Sequence, residues 1–175
     1  MMDVIGEFCS ANDLPWNEEI AGRFERYLEL LLHFNESMNL IGPLDESEII
    51  DELFIDSLAA AAIYPPEGTL LDVGTGAGLP GYPLAFLYPD LAVTLVEPRR
   101  RRATFLKMVR TRLELDGITL YNNRLEDVPS ATYDYVIAKA FRPPIEWLET
   151  ASEWTSESGV TVCMTRPSER ASLEE

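Results

Sequence analysis

The sequence predicts an α/β fold: a parallel sheet covered on both faces by helices, with a helical extension ahead of it. Three observations predict it. After Pro65-Pro66-Glu67-Gly68, short apolar strands alternate with helical segments over short links. The first of these strands runs into a glycine-rich turn, LLDVGTGAGLPG. Before the Pro-Pro break, apolar residues recur instead at helical spacing: Ile20, Phe24, Tyr27, Leu28, Leu31 and Leu32.

Each element has a local reason. Pro15 and Asn17 precede Glu18-Glu19, a capped helix start with acids in the first turn, where the helix dipole favours them. A loop is expected over NESMNLIGP, ended by Pro43, and a second helix from 46 to about 64. The Pro-Pro-Glu-Gly stretch is the clearest boundary. It separates a helical extension, residues 1–66, from a sheet domain, 67–175, the whole forming one compact unit. Thr69–Val73 is the first strand, 80–87 a helix with Pro80 in its first turn, and Ala92–Val96 the second strand. A helix over 99–115 ends at Asp116-Gly117, followed by strands at Ile118–Tyr121 and 133–138. A helix over 146–154 and a fifth strand over 160–164 complete the pattern.

Composition narrows the function classes. With 175 residues, 46% of them hydrophobic, the chain can bury a core as one globular domain. Its longest apolar runs, 57–64 and 77–88, fall short of the ~20 residues of a membrane-spanning helix, so no membrane role is expected. The acidic start MMDVIGEFCS lacks a cationic leader, and the expected location is the cytoplasm. Cys9 and Cys163 make neither a disulfide framework nor a metal site, and a single histidine removes most zinc sites, so no metal is expected. Net charge is −16, from 14 basic and 30 acidic residues. The first 98 residues carry the whole excess, with 18 acids and two bases. Such a balance argues against nonspecific nucleic-acid binding. A local basic face remains, at Arg99, Arg100, Arg101, Arg102 and Lys107, as a candidate RNA surface; a solvated helix face is the alternative.

The glycine turn carries the chemistry. Glycines allow positive φ and close backbone approach to a ligand, and the following helix start presents N–H groups. Glu97 closes the second strand, where an acid can hold the two hydroxyls of an adenosine ribose. Two cofactors fit the letters. Gly76, Gly78 and Gly81 spell the dinucleotide pattern G-x-G-x-x-G. Asp72, Gly74, Gly76 and Gly78 spell D-x-G-x-G-x-G, the S-adenosyl-L-methionine pattern. Charge favours the latter, since Asp72 would repel a pyrophosphate and attract an ammonium and a sulfonium. The length agrees, because a nicotinamide enzyme normally adds a substrate domain.

With these residues in hand, the chain resembles the RsmG (GidB) family of bacterial ribosomal RNA methyltransferases. The segments that carry the resemblance are HFNESMNL, FIDSLA, LLDVGTGAGLPGYPLAF, RLEDVP and YDYVIAKAF. It implies a Rossmann-like methyltransferase sheet and transfer of a methyl group from S-adenosyl-L-methionine to N7 of a guanine in 16S ribosomal RNA, the RNA of the small subunit. It also implies cofactor contacts at Gly74 and Leu79, an adenine framed by Leu125-Glu126, and a further contact at Lys139, where the family usually has Arg. A family basic residue after the fifth strand falls near Arg166. Because family members continue further, a shortened C-terminal part is expected, with a monomer whose fifth strand is a sheet edge open to pairing. Guanine N7 carries a lone pair and no proton, so no catalytic acid or base is assigned. Arg124 and Lys139 are candidate substrate contacts, to guanine O6 or phosphate, with ion pairs to Asp127 or Asp134 as the alternative. Two other readings stay open: a member that binds the cofactor and a protein partner without methylating RNA, and a small-molecule methyltransferase.

Overall fold

The structure is a computed structural model that describes residues 2–165; Arg166 lies outside the described residues. The helical extension holds α1 (Met2–Ala11), α2 (Glu18–Met38), the short α3 (Glu46–Glu48), a π-helical segment Ile49–Ile55, and α4 (Asp56–Ile63). The sheet part follows as β1 (Thr69–Val73), α5 (Gly81–Leu87), β2 (Ala92–Val96), α6 (Arg100–Arg112) and β3 (Ile118–Tyr121). A 3-10 turn, Leu125–Asp127, leads to β4 (Tyr133–Lys139), α7 (Pro144–Ser152) and β5 (Thr155–Met164). All neighbouring strands pair in parallel, in the order β3-β2-β1-β4-β5. The chain reverses direction between β1 and β4, the place where open α/β sheets bind ligands beyond their carboxyl ends.

The expected α/β architecture is present, and the differences in its elements have physical reasons. α2 starts as expected, with the Asn17 side chain accepting from the Ile20 N–H at 2.9 Å. It runs past Asn35 to Met38 and ends at Asn39, whose left-handed φ of 48° closes the last turn. The expected loop is thus only its second half, and Asn35 shapes it: Oδ1 accepts from Leu40 and Ile41, and Nδ2 donates to the Gly42 carbonyl. The helix expected over 46–64 opens with an Asp45/Glu48 capping box and widens into the π-helical segment, a distortion common near functional sites. β5 begins at Thr155 rather than at 160, because a register irregularity opposite Tyr133 and Tyr135 lets it pair on both sides of Gly159. α1 is a further helix, beyond those the sequence predicts, and it buries Ile5 and Cys9.

One cluster of buried side chains joins the extension to one face of the sheet, from Ile5, Phe24 and Phe54 through Leu70, Phe86 and Phe105 to Ile137. The opposite face is covered by α7 and the 3-10 turn, through Trp147, Ala151 and Leu125. Among the described residues no helix is long and apolar enough to cross a membrane.

Candidate functional site

The carboxyl ends of β1, β2 and β4 meet around residues 74–84, and almost every backbone N–H of this loop is already engaged. Those of Gly74 and Thr75 donate to the Val96 carbonyl, and those of Gly78 and Leu79 to the Thr75 carbonyl. The Gly76 N–H donates to Glu97 Oε2 at 3.0 Å, and the Gly81 N–H to Asp72 Oδ2 at 2.8 Å. Among the described residues the Ala77 N–H has no partner, while its carbonyl accepts from the Tyr27 hydroxyl at 2.8 Å.

The glycines divide by role. A Cβ on Gly74 would stand 2.6 Å from the Phe141 ring, and one on Gly78 only 2.1 Å from Tyr82. Both are needed for packing inside the protein. Gly76, with φ +63°, is half-buried but uncrowded: a Cβ built there would meet Arg102 Nη1 at 3.6 Å and the Gly74 carbonyl at 3.9 Å, ordinary contacts. Gly76 is therefore the position that leaves room for close approach from outside. Leu79 is buried in the core that carries α5.

Both acids lie beneath the loop. Asp72 is fully buried, and its Oδ2 also accepts from Thr75 Oγ1 at 2.6 Å. Its Oδ1 has no partner. Burial pushes its pKa up to about 7, against the pull of the Thr75 and Gly81 hydrogen bonds, with Glu97 pushing further up. Glu97 was expected at a ribose. Its Oε2 holds Gly76 and its Oε1 accepts from the Arg99 N–H at 2.7 Å, so it pins the loop; each oxygen keeps a second lone pair.

Beside the loop a cleft of about 260 Å³ is lined by Val73, Gly74, Val96, Pro98, Arg124, Leu125, Glu126, Phe141 and Arg142. Leu125 is buried in its floor, and Arg124 is exposed at its side. Glu126 pairs with Arg142 at 2.8 Å; its own backbone N–H, and then Arg142, hold its carboxyl below the usual range. The Arg142 guanidinium sits 5.1 Å from the Phe141 ring centroid. Phe141 and Arg142 line this cleft without being among the residues expected from the sequence. Their signal was an aromatic and a cation directly after the fourth strand, at the sheet end that carries the glycines.

Two candidates lie elsewhere than expected. Lys139 pairs with Asp56 Oδ2 at 2.6 Å and donates to the Glu52 carbonyl, so it ties β4 to the extension; neither Asp127 nor Asp134 is its partner. Arg102 is half-buried and donates to the Leu40 carbonyl, so it turns toward the extension and the loop. Arg99, Arg100, Arg101 and Lys107 are exposed.

A family model described as rRNA small subunit methyltransferase G, GidB, matches residues 20–175. The chain belongs to the GidB family. Among relatives within it, ribosomal RNA small subunit methyltransferase G of Streptococcus pneumoniae serotype 19F (strain G54) is 38% identical over 136 residues. The match covers 73% of this chain and 57% of that protein, so the chain spans little more than half the relative's length. The namesake from Nitratidesulfovibrio vulgaris (strain DP4) is 40% identical over 165 residues, covering 90% of this chain and 74% of that protein. Among solved structures, a ribosomal protein L11 methylase from Lactobacillus delbrueckii subsp. bulgaricus is similar at TM-score 0.58 and 13% identity, over 70% of this chain and 65% of that one. A SAM-dependent methyltransferase from Aquifex aeolicus is similar at TM-score 0.54 and 21% identity, over 68% and 66%. At these identities the likeness is one of fold: the GidB chain has the sheet of such methyltransferases.

Proposed function

We propose that this chain is an S-adenosyl-L-methionine-dependent methyltransferase acting on N7 of a guanine in small-subunit ribosomal RNA. The observation that carries the reading is the glycine loop of a GidB family member, its acids tucked beneath it. A dinucleotide needs several loop N–H groups for its pyrophosphate. Here Glu97 and Asp72 take those of Gly76 and Gly81, and negative charge underlies the loop. The same charge suits a ligand with an ammonium and a sulfonium.

The residues present fit that cofactor. Gly76 and Ala77 would hold its amino-acid end, the free lone pairs of Glu97 its ribose, and Pro98, Leu125 and Glu126 its adenine. When bound, it supplies a methyl group on a sulfonium. The protein's part is then alignment, because guanine N7 has no proton to remove. Arg124, exposed at the cleft, is placed for guanine O6 or a phosphate, and Arg99, Arg100, Arg101 and Lys107 for phosphates. Residues 1–66 serve as a brace for the sheet domain, 67–175. The reading carries with it a monomer working in the cytoplasm.

Calorimetry with S-adenosyl-L-methionine and with NAD tests the cofactor. The wild type should bind the first and not the second. Gly76→Ala should weaken binding, since its methyl would stand in the approach at ordinary contact distance from protein atoms; the positive φ costs it some stability, so a thermal melt checks that the variant is folded. Radiolabelled methyl transfer to small-subunit particles and to naked RNA tests the substrate. Tight NAD binding would overturn the cofactor, and cofactor binding without label in either RNA would favour the binding-only alternative.

A further inference from the structure

Tyr27 lies in α2, among the apolar positions of its buried stripe. Its ring is fully buried and packs on Phe54, Tyr82, Phe86 and Phe105. For that packing a phenylalanine would serve. A buried hydroxyl is tolerated only when paired, and this one is paired, 50 residues along the chain, with the carbonyl of Ala77. Burial, with Tyr82 and Asp72 adding, holds its pKa well above the ordinary tyrosine range, so it remains a donor at any working pH.

The bond falls at the middle of the loop, where the Ala77 side chain is buried in the core. Ala77 sits between Gly76 at φ +63° and Gly78 at φ +104°, two residues whose backbones turn easily. Thr75 fixes the Gly78 and Leu79 N–H groups, and Glu97 fixes that of Gly76. Only the Tyr27 hydroxyl is seen to hold Ala77 itself among the described residues, and it draws the carbonyl inward. What remains is the Ala77 N–H, the loop's unpaired donor. Arg102 Nη1 lies close to the neighbouring Gly76, so the unpaired N–H and a guanidinium converge on one stretch of loop. That pairing suits an anionic group.

We propose that Tyr27 is a positioning residue: through the Ala77 carbonyl it sets the Ala77 N–H to receive the carboxylate of the cofactor's amino-acid moiety. The inference rests on the S-adenosyl-L-methionine reading above. It gives the helical extension a part in cofactor recognition.

The test compares Tyr27→Phe with the wild type against two ligands, S-adenosyl-L-methionine and its decarboxylated form, which keeps the ammonium and the sulfonium. The wild type should bind the carboxylate-bearing ligand more tightly. In Tyr27→Phe its affinity should fall about tenfold, as expected for one mis-set hydrogen bond to a charged group, while the decarboxylated ligand stays within about twofold. A role in packing alone would weaken both ligands equally or neither, and an unchanged ratio between them overturns the proposal while leaving the cofactor reading intact. A wild type that binds neither ligand overturns both. Amide hydrogen exchange in the wild type gives a second readout, independent of whether the variant folds. The Ala77 amide should gain protection with S-adenosyl-L-methionine and not with the decarboxylated ligand; equal protection by both, or by neither, overturns the proposal.

Discussion

Asp72 shows how far a letter in a motif is from a chemical state. The D-x-G-x-G-x-G pattern located the acid, and the structure puts it beneath the loop, fully buried, with one oxygen unpaired. Burial raises its pKa to about 7, so near neutrality its charge is only partly formed. The sign of the linked stability follows. Between about pH 4 and 7 the folded chain holds a proton that the unfolded chain has released, so this group makes stability fall as pH rises through that window and flatten above it. Asp72→Asn keeps an oxygen for Thr75 and Gly81 and removes the titration. Urea unfolding at pH 5 and pH 7.5 should show a larger drop for the wild type than for the variant; an equal drop in both would refute the assignment. The glycines carry the same lesson. Gly74, Gly76 and Gly78 look equivalent in sequence, yet two lie directly against a ring and one meets only ordinary contacts, because the partners Phe141 and Tyr82 come from other parts of the chain.

At the scale of elements, the first three strands were legible to the residue, because each is an apolar run bounded by turn residues. The reading failed where tertiary contacts decide: the last turn of α2, the π-helical segment and the early start of β5. The site followed the same division. The glycine loop and the acids were readable because their spacing is local. The partners of Lys139 and Tyr27 were not, since Glu52 lies 87 residues from the first and Ala77 50 from the second. Lys139 thereby joins the carboxyl end of β4 to the extension through Asp56. A double-mutant cycle with Lys139→Met and Asp56→Asn should give a coupling of about 1 kcal/mol in unfolding free energy, the pair being only partly exposed. Additive effects would show that the pair does not hold the two parts together.

Across the whole molecule the field is repulsive to RNA, with a net charge of −16. Against it stands α6, whose first turn carries Arg100, Arg101 and Arg102 and no acid. Cations there oppose the helix dipole, so stability alone gives no reason for them. Arg102 donates to the Leu40 carbonyl, while Arg100 and Arg101 are exposed and under the proposed function would meet phosphates. Arg100→Ala with Lys107→Ala should weaken binding to ribosomal RNA and flatten its salt dependence by about 1.5 in the log–log slope, two phosphate contacts' worth. Cofactor affinity should stay the same. Titrations at several salt concentrations check this, and an unchanged slope would remove α6 from the RNA surface.

The core shared between extension and sheet sets an order on synthesis. α2 emerges before the sheet with an apolar stripe that Ile5 and Phe54 of the extension cover only in part; the rest waits for Phe86 and Phe105, and Ile137 of the same cluster comes later still. Until roughly residue 109 has emerged, part of the stripe stays uncovered, a sticky surface and a natural client for a chaperone that binds nascent chains. Arrest of translation at increasing lengths should show the extension protease-sensitive through the first half of the chain, then protected abruptly rather than helix by helix.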